Sequence, residues 1–196
     1  MAELAPGHPE ILRIVAPNPG PMTLEGTNTY IYGADQLGAP VVLPEDGEVH
    51  GGLTALATPG HAAEHVVFLT ADGVCFCGDL VLGLGSTIVP PGGNSLAAFL
   101  DSLALLQARD LSLMCPGHGP WITDPEAKLA EYVEHRMMRE RRLLATLDEG
   151  ENSRAALLAA VWDDVPVELL PMAAMAMEAH LEKLEAERRL PRDLSE

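Results

Sequence analysis

The sequence predicts an α/β fold followed by a small helical unit, and three observations carry that expectation. Before Asp124, glycine and proline punctuate short apolar runs; a single stretch of helical periodicity interrupts them; after Asp124 the periodicity is helical almost throughout. The strand-like runs are Thr27–Gly33, Val41–Leu43, Leu53–Ala57, Val66–Thr70, Val74–Cys77 and Leu111–Cys115. Several are too apolar for a sheet with one wet face, so we expect them to be covered on both sides. The interrupting helix runs from about Ser95 to Arg109, where Leu96, Phe99, Leu100, Leu103 and Leu106 recur at helical spacing. Thr123 or Asp124 can cap the next helix with Pro125 at its first position, and Leu129, Tyr132, Val133, Met137, Leu143, Leu144 and Leu147 form its apolar stripe up to Gly150. Asn152 or Ser153 can cap a short helix through Val161, and a Pro-containing link leads to a longer one between about Pro171 and Leu190. Met172, Met175 and Met177 read as adaptable packing surface. We therefore expect an α/β domain over 1–124 and a helical extension over 125–196.

The chain has 196 residues, 47% of them hydrophobic, enough to bury a real core, and a formal net charge of −17. No run of 18 apolar residues occurs, so no membrane span is expected, and the acidic, Pro-containing stretch Met1–Glu10 lacks the basic and apolar regions of a secretory signal. A cytoplasmic protein is the expectation. Three cysteines cannot all pair internally; Cys75 and Cys77, two apart in a strand-like run, point to one face and read as reduced core thiols. Residues 1–124 carry two basic side chains, Arg13 and Arg109, against thirteen acidic ones, and 125–196 carry ten against sixteen. Both parts repel phosphate backbones, which weighs against nucleic acid as a partner. The one dense basic run, Arg136, Arg139, Arg141 and Arg142, is interleaved with Glu134 and Glu140 and reads as a solvated helix face.

Three turns carry the residues that point to chemistry. Thr58-Pro59-Gly60-His61, Cys77-Gly78-Asp79 and Cys115-Pro116-Gly117-His118-Gly119 each follow an expected strand and set glycine beside a polar side chain. Glycine permits close backbone approach, and strand ends are where α/β sheets place ligands. Two histidines and a carboxylate can supply a metal's protein ligands, and an open position for water would make a hydroxide source near neutral pH. Taken alone, either histidine-bearing turn reads better as a turn whose histidine merely hydrogen-bonds backbone.

Taken in order, these segments resemble the metallo-β-lactamase superfamily, in particular the glyoxalase II-like and lactamase-B2-like hydrolases with a C-terminal winged-helix-like extension. Ala16-Pro17-Asn18-Pro19-Gly20-Pro21-Met22-Thr23 and Gly26-Thr27-Asn28-Thr29-Tyr30 are similar to that family's first strands. Thr58 to His65, Cys77-Gly78-Asp79 and Pro116-Gly117-His118-Gly119-Pro120 are similar to its later metal-ligand motifs. His135-Arg136 with Arg139-Glu140, and His180-Leu181-Glu182-Lys183-Leu184, resemble the appended helices. The resemblance implies an αββα sandwich in which His61 ligates one metal, His118 a second, and Asp79 bridges them and serves as the catalytic carboxylate. It gives His65 no ligand role. It implies two zinc ions, with iron or manganese also accepted by such donors.

The family's signature His-x-His-x-Asp-His motif occurs nowhere in the chain. Relatives have a strand, a helix and another strand where Gly33 is here followed almost directly by Leu37-Gly38-Ala39-Pro40-Val41, and Ala34–Gly38 is too short for a parallel crossover. A further shortening is expected between Leu43 and Gly51. With one histidine and a shared aspartate per ion, the site falls below the three protein ligands expected of catalytic zinc. His50 is a candidate substitute, though a plain turn histidine is the better reading. Three explanations stand: an internal stretch missing from this sequence, a deletion, or a shortened relative with a different site. The first accounts best for flanking strands and caps that remain consistent with the whole fold.

Two functions follow as expectations. The leading one is a metal-dependent hydrolase in which a hydroxide held by the metals attacks an ester-like, thioester, lactam or phosphodiester small-molecule substrate. If the sequence is complete and continuous, a catalytically silent binding or scaffold protein is preferred instead. Glu168, Glu178, Glu182, Glu185 and Glu187 outnumber Lys183, Arg188 and Arg189 in the last helical region, which suits packing or homodimer formation, or a wall of the substrate pocket, better than nucleic acid.

Overall fold

A computed structural model describes residues 2–32, 46–47, 49–93, 95–190 and 194. The chain begins with a hairpin, β1 (Ala2–Ala5) and β2 (His8–Val15), turning at Pro6-Gly7. With β3 (Asn28–Tyr32) it forms a three-stranded antiparallel sheet in which Leu12 pairs with Leu4 on one side and Ile31 on the other. This hairpin was not among the expected strands. Alternation explains it: Ile11 and Arg13 turn inward and are buried, whereas Leu4 and Ile14 remain exposed on the other face.

The second sheet has the order β4 (Val49–His50), β5 (Leu53–Ala57), β6 (Val66–Leu69), β7 (Val74–Gly78), β8 (Leu113–Pro116). Pairings are antiparallel from β4 to β7, and β7 and β8 are parallel, with Cys75 opposite Met114 and Gly78 opposite Pro116. The parallel pair is joined through α1 (Ser95–Gln107). As the apolar runs predict, β7 and β8 are covered on both sides. Cys75, Cys77 and Met114 pack beneath Leu96, Phe99, Leu103 and Leu106 of α1, while Val74, Leu113 and Cys115 face Ile11 and Tyr30 of the first sheet. The three cysteines are free and buried, and burial pushes the Cys115 thiol up to about 12.

The Asp124 carboxylate accepts from Ala127 N at 3.0 Å and opens α2 (Pro125–Asp148); Ser153 caps α3 (Arg154–Val161), and a single 3₁₀ turn at Val167–Leu169 leads into α4 (Leu170–Ala186). Leu143 and Leu147 of α2, Leu157 and Val161 of α3 and Met177, Leu181 and Leu184 of α4 share one apolar cluster. Of the expected methionine surface, only Met177 is core, and Met175 is exposed.

The arginine run is corrected by the structure. Arg136 and Arg139 are buried, and only Arg141 and Arg142 reach solvent. Positions 132, 136, 139, 143 and 147 share one helical face, so the inward stripe passes straight through the charged run. Stacking of the guanidinium groups on Phe99 and Trp162 offsets part of the burial cost. The strand expected over 41–43, the His50 side chain and the chain path through 33–45 lie outside the described residues. Among those residues, no helix is long and apolar enough to cross a membrane.

Candidate metal centre

Strand direction gathers the three turns. Antiparallel β5–β6 and β6–β7 pairs followed by a parallel β7–β8 pair give β5, β7 and β8 the same direction, so their C-terminal ends lie along one edge of the sheet. His61 follows β5, Asp79 follows β7 and His118 follows β8, and all three line one cavity of about 400 Å³.

Backbone groups hold each side chain. His61 Nδ1 lies 2.8 Å from the Ile88 carbonyl, and His118 Nδ1 lies 3.3 Å from that of Gly26. A carbonyl only accepts, so in the neutral rings Nδ1 carries the hydrogen and Nε2 presents its lone pair, the tautomer a metal-ligating histidine uses. Thr87 donates to the Asp79 carbonyl at 2.6 Å, and its hydroxyl sits 3.4 Å from His61 Nδ1. The loop of His118 is pinned by the first sheet: Asn28 Nδ2 donates to the Pro116 and Gly119 carbonyls, Tyr30 OH to that of Pro116, and Arg13 to that of Gly119. Gly117 N donates to Gly78 O at 2.7 Å, and a Cβ on Gly117 would lie 2.4 Å from Asp79 Oδ1, so only glycine lets the two turns meet.

His118 Nε2 is 3.5 Å from Asp79 Oδ2, and Asp79 Oδ1 is buried with no hydrogen-bond partner. Two acceptors facing each other beside an orphaned carboxylate oxygen is an arrangement that a cation reconciles. The donor chemistry therefore fits a divalent ion. The donor count is low: among the described residues, the trio of potential ligands within 4.8 Å of one another is His8, Glu10 and Asp72 near the first hairpin, and does not include His61, Asp79 or His118.

His65 lies 6.2 Å from His61, ring to ring, and its Nδ1 meets the Thr58 hydroxyl at 2.9 Å. Burial, with His61 beside it, moves its pKa below the usual histidine value. Sequence reasoning missed the residues that frame the site from α2. Tyr132 OH accepts from Leu82 N at 2.8 Å, and one turn later Arg136 donates to Ser86 Oγ at 3.0 Å and to the Thr87 carbonyl. Both act on the segment that orients His61 and Asp79. The i, i+4 spacing was legible; that the arginine faces inward was not.

The helical extension contributes to the same cavity, which Trp162, Val165, Leu169, Met172, Ala173 and Ala176 line together with the three donors. A two-sheet α/β fold with histidine and aspartate at adjacent strand ends and a helical cover defines a class of protein that comparison with known proteins makes specific. Residues 153–194 match the Beta-lactamase associated winged helix domain. A Drosophila melanogaster protein described as a beta-lactamase-like protein 2 homolog is 34% identical over 68% of this chain and 45% of its own length. An Aspergillus chevalieri atrochrysone carboxyl ACP thioesterase is 28% identical over 75% of this chain and 68% of its own length. The crystal structure of a metallo-β-lactamase family protein from Thermus thermophilus superposes with a TM-score of 0.63 at 32% identity, covering 74% of this chain and 49% of that one.

The chain belongs to the metallo-β-lactamase superfamily. It spans about half the length of the fly and Thermus proteins. The match to the fungal thioesterase runs over 215 aligned residues yet uses 75% of the 196 residues here, so the aligned part of that relative contains residues with no counterpart in this sequence.

Proposed function

We propose that this protein is a metal-dependent hydrolase of small-molecule ester-like, thioester, lactam or phosphodiester substrates. The observation that carries the reading is the pairing of His118 Nε2 with Asp79 Oδ2 at 3.5 Å beside the unpartnered Asp79 Oδ1. His61 and His118 would each hold one ion through Nε2, and Asp79 would touch both. Zinc is the ion we favour, with iron or manganese compatible with the same donors. A bound ion supplies Lewis acidity toward the carbonyl and a more acidic water. The chain's own part is positioning: the Ile88 and Gly26 carbonyls fix the two imidazole tautomers, Thr87 holds the Asp79 backbone, and apolar side chains of the extension line the same cavity. The thioesterase activity printed for the fungal relative supports a carbonyl substrate over a phosphodiester. In this reading residues 1–124 carry the site, 125–196 cover it, and the protein works in the cytoplasm.

The test is elemental analysis of the full chain purified from zinc-containing medium, paired with Asp79→Ala. We expect near-stoichiometric transition metal, lost in the variant together with hydrolysis while the thermal melt is retained. Protein that folds but holds no transition metal overturns the reading.

A second reading, a catalytically silent binding protein, is favoured by the absent His-x-His-x-Asp-His motif and the low donor count. Partner binding that persists after joint replacement of His61 and His118 by alanine would support it; measurable hydrolysis abolished by that replacement would defeat it.

A further inference from the structure

Much of the cavity lining that the extension contributes is hydrocarbon, and the two arginines beside it direct hydrogen bonds at the protein itself. Trp162, Leu169, Met172 and Ala176 line the cavity, as do Met22 and Leu24. Arg139 also lines it, but its guanidinium makes a two-pronged pair with Asp164 at 2.8 and 2.9 Å, donates to the Val161 carbonyl and lies over the Trp162 ring. Arg136 directs Nη2 at Ser86 and the Thr87 carbonyl and lies over Phe99, with its buried Nε unpartnered, so it is the single lining cation without a carboxylate among the described residues. Among the described residues, no lysine lines the cavity. A polyanion needs several uncommitted cations, and the whole chain carries −17. The volume of about 400 Å³ is within the range of small-molecule sites.

Building on the hydrolase reading above, we propose that the α3–α4 wall is an acyl-binding surface, and that the substrate is an ester or thioester of an uncharged, apolar acid several carbons long. The carbonyl sits at His61, Asp79 and His118, and the hydrocarbon chain lies along Trp162 and Met172. In each turnover the water oxygen bonds to the acyl carbon and the acyl carbon–sulfur or carbon–oxygen bond breaks. One hydrogen of the water goes to the departing thiol or alcohol and the acid keeps the other. The acyl length is read by burial of methylenes, and the extension that covers the site becomes its specificity element.

The experiment uses the zinc-loaded full chain and N-acetylcysteamine thioesters of acetic, butanoic, hexanoic, octanoic and succinic acids. We expect kcat/KM to rise roughly threefold to fourfold per added methylene until the chamber is full, and the succinyl thioester to fall about tenfold below the butanoyl one, in keeping with the cost of burying an unpaired carboxylate. Met172→Glu should lower the hexanoyl-to-acetyl ratio of kcat/KM about tenfold. A binding arm needs no catalysis: in a Trp121→Phe background, octanamide should change the emission of Trp162, and acetamide at the same concentration should not. A flat chain-length profile, a preference for succinyl over butanoyl, or an unchanged Trp162 signal each overturns the acyl assignment while leaving hydrolysis intact. Absence of both bound metal and any hydrolysis overturns the underlying reading, and octanamide binding then has no catalytic meaning.

Discussion

The sheet half and the helical extension bury polar groups in opposite ways. Around the second sheet the interior is hydrocarbon and thiol, and polar side chains gather at strand ends, where free backbone carbonyls such as Ile88, Gly26 and Pro116 hold them. In the extension, charge runs through the middle. The Glu140 carboxylate, 2% exposed, accepts from Lys183 at 2.7 Å and from Arg189 at 2.8 Å, and Arg139 pairs with Asp164. The difference follows from the backbone: a helix spends its peptide groups internally, so helices fix their mutual register with side chains, whereas turns leave carbonyls to spare. A site built on turns needs few charges, and an interface between helices that carries charge depends on every partner being present.

The strongest way to break this contrast is Glu140→Ala, which removes the buried carboxylate shared by Lys183 and Arg189 and leaves both cations to the half-exposed Glu187. With Glu187 still in place we expect a loss at the low end for a broken buried pair, about 3 kcal/mol, read as a fall of roughly 10 °C in the thermal melt. A fall of only a degree or two would mean that the buried pair does not set the extension's stability. Next is Arg136→Met, which joins the two regions and removes the donors to Ser86 and Thr87. It should cost about 1.5–3 kcal/mol, and amide exchange should speed selectively over residues 82–88. Uniform exchange throughout the chain would show a purely global role.

Acid sharpens the comparison further. Burial, with Arg136, Lys183, His135 and Arg139 near it, lowers the His180 pKa to about 3. The unfolded chain takes up that proton near pH 6.5 and the folded chain does not, so stability is full above pH 6.5 and declines as pH falls toward 3. His65 and His135 are shifted the same way and add to the decline. Urea melts between pH 7 and 5 should show a slope of up to about 1.4 kcal/mol per pH unit from His180, flattened in His180→Leu; an unchanged slope would place the titration elsewhere. The smallest effect is expected for Arg141→Ala, which removes an exposed pair with Glu134. It should move stability by less than about 0.5 kcal/mol, and a larger change would mean that surface charge matters as much as the buried network.

Most elements were legible from local chemistry. Asp124 before Pro125, Ser153 before the short helix and Gly150 after the long one are caps whose function is local, and each appears where expected. The runs at Leu53–Ala57 and Val74–Cys77 are strands because β-formers bounded by turns have few alternatives. The first hairpin was hidden because Glu3, Glu10 and Arg13 break its apolar pattern, although Arg13 pairs with Glu3 and donates to the Gly119 carbonyl once the sheets stack. Arg136 and Arg139 were misplaced for the same reason: their charge is compatible with burial only beside Phe99, Trp162, Thr87 and Asp164, all distant in sequence.

The sequence by itself determined the kinds of residue available for chemistry, His61, Asp79 and His118 on glycine-bearing turns, because strand ends and glycines are local signals. It also determined that the −17 charge disfavours a polyanion. Only the tertiary structure decided that β5, β7 and β8 share a direction, that Asp79 meets His118 across Gly117, and that apolar side chains of the extension line the same cavity. Strand direction and helix docking depend on contacts between residues far apart in the chain, and no local pattern encodes which of them will meet.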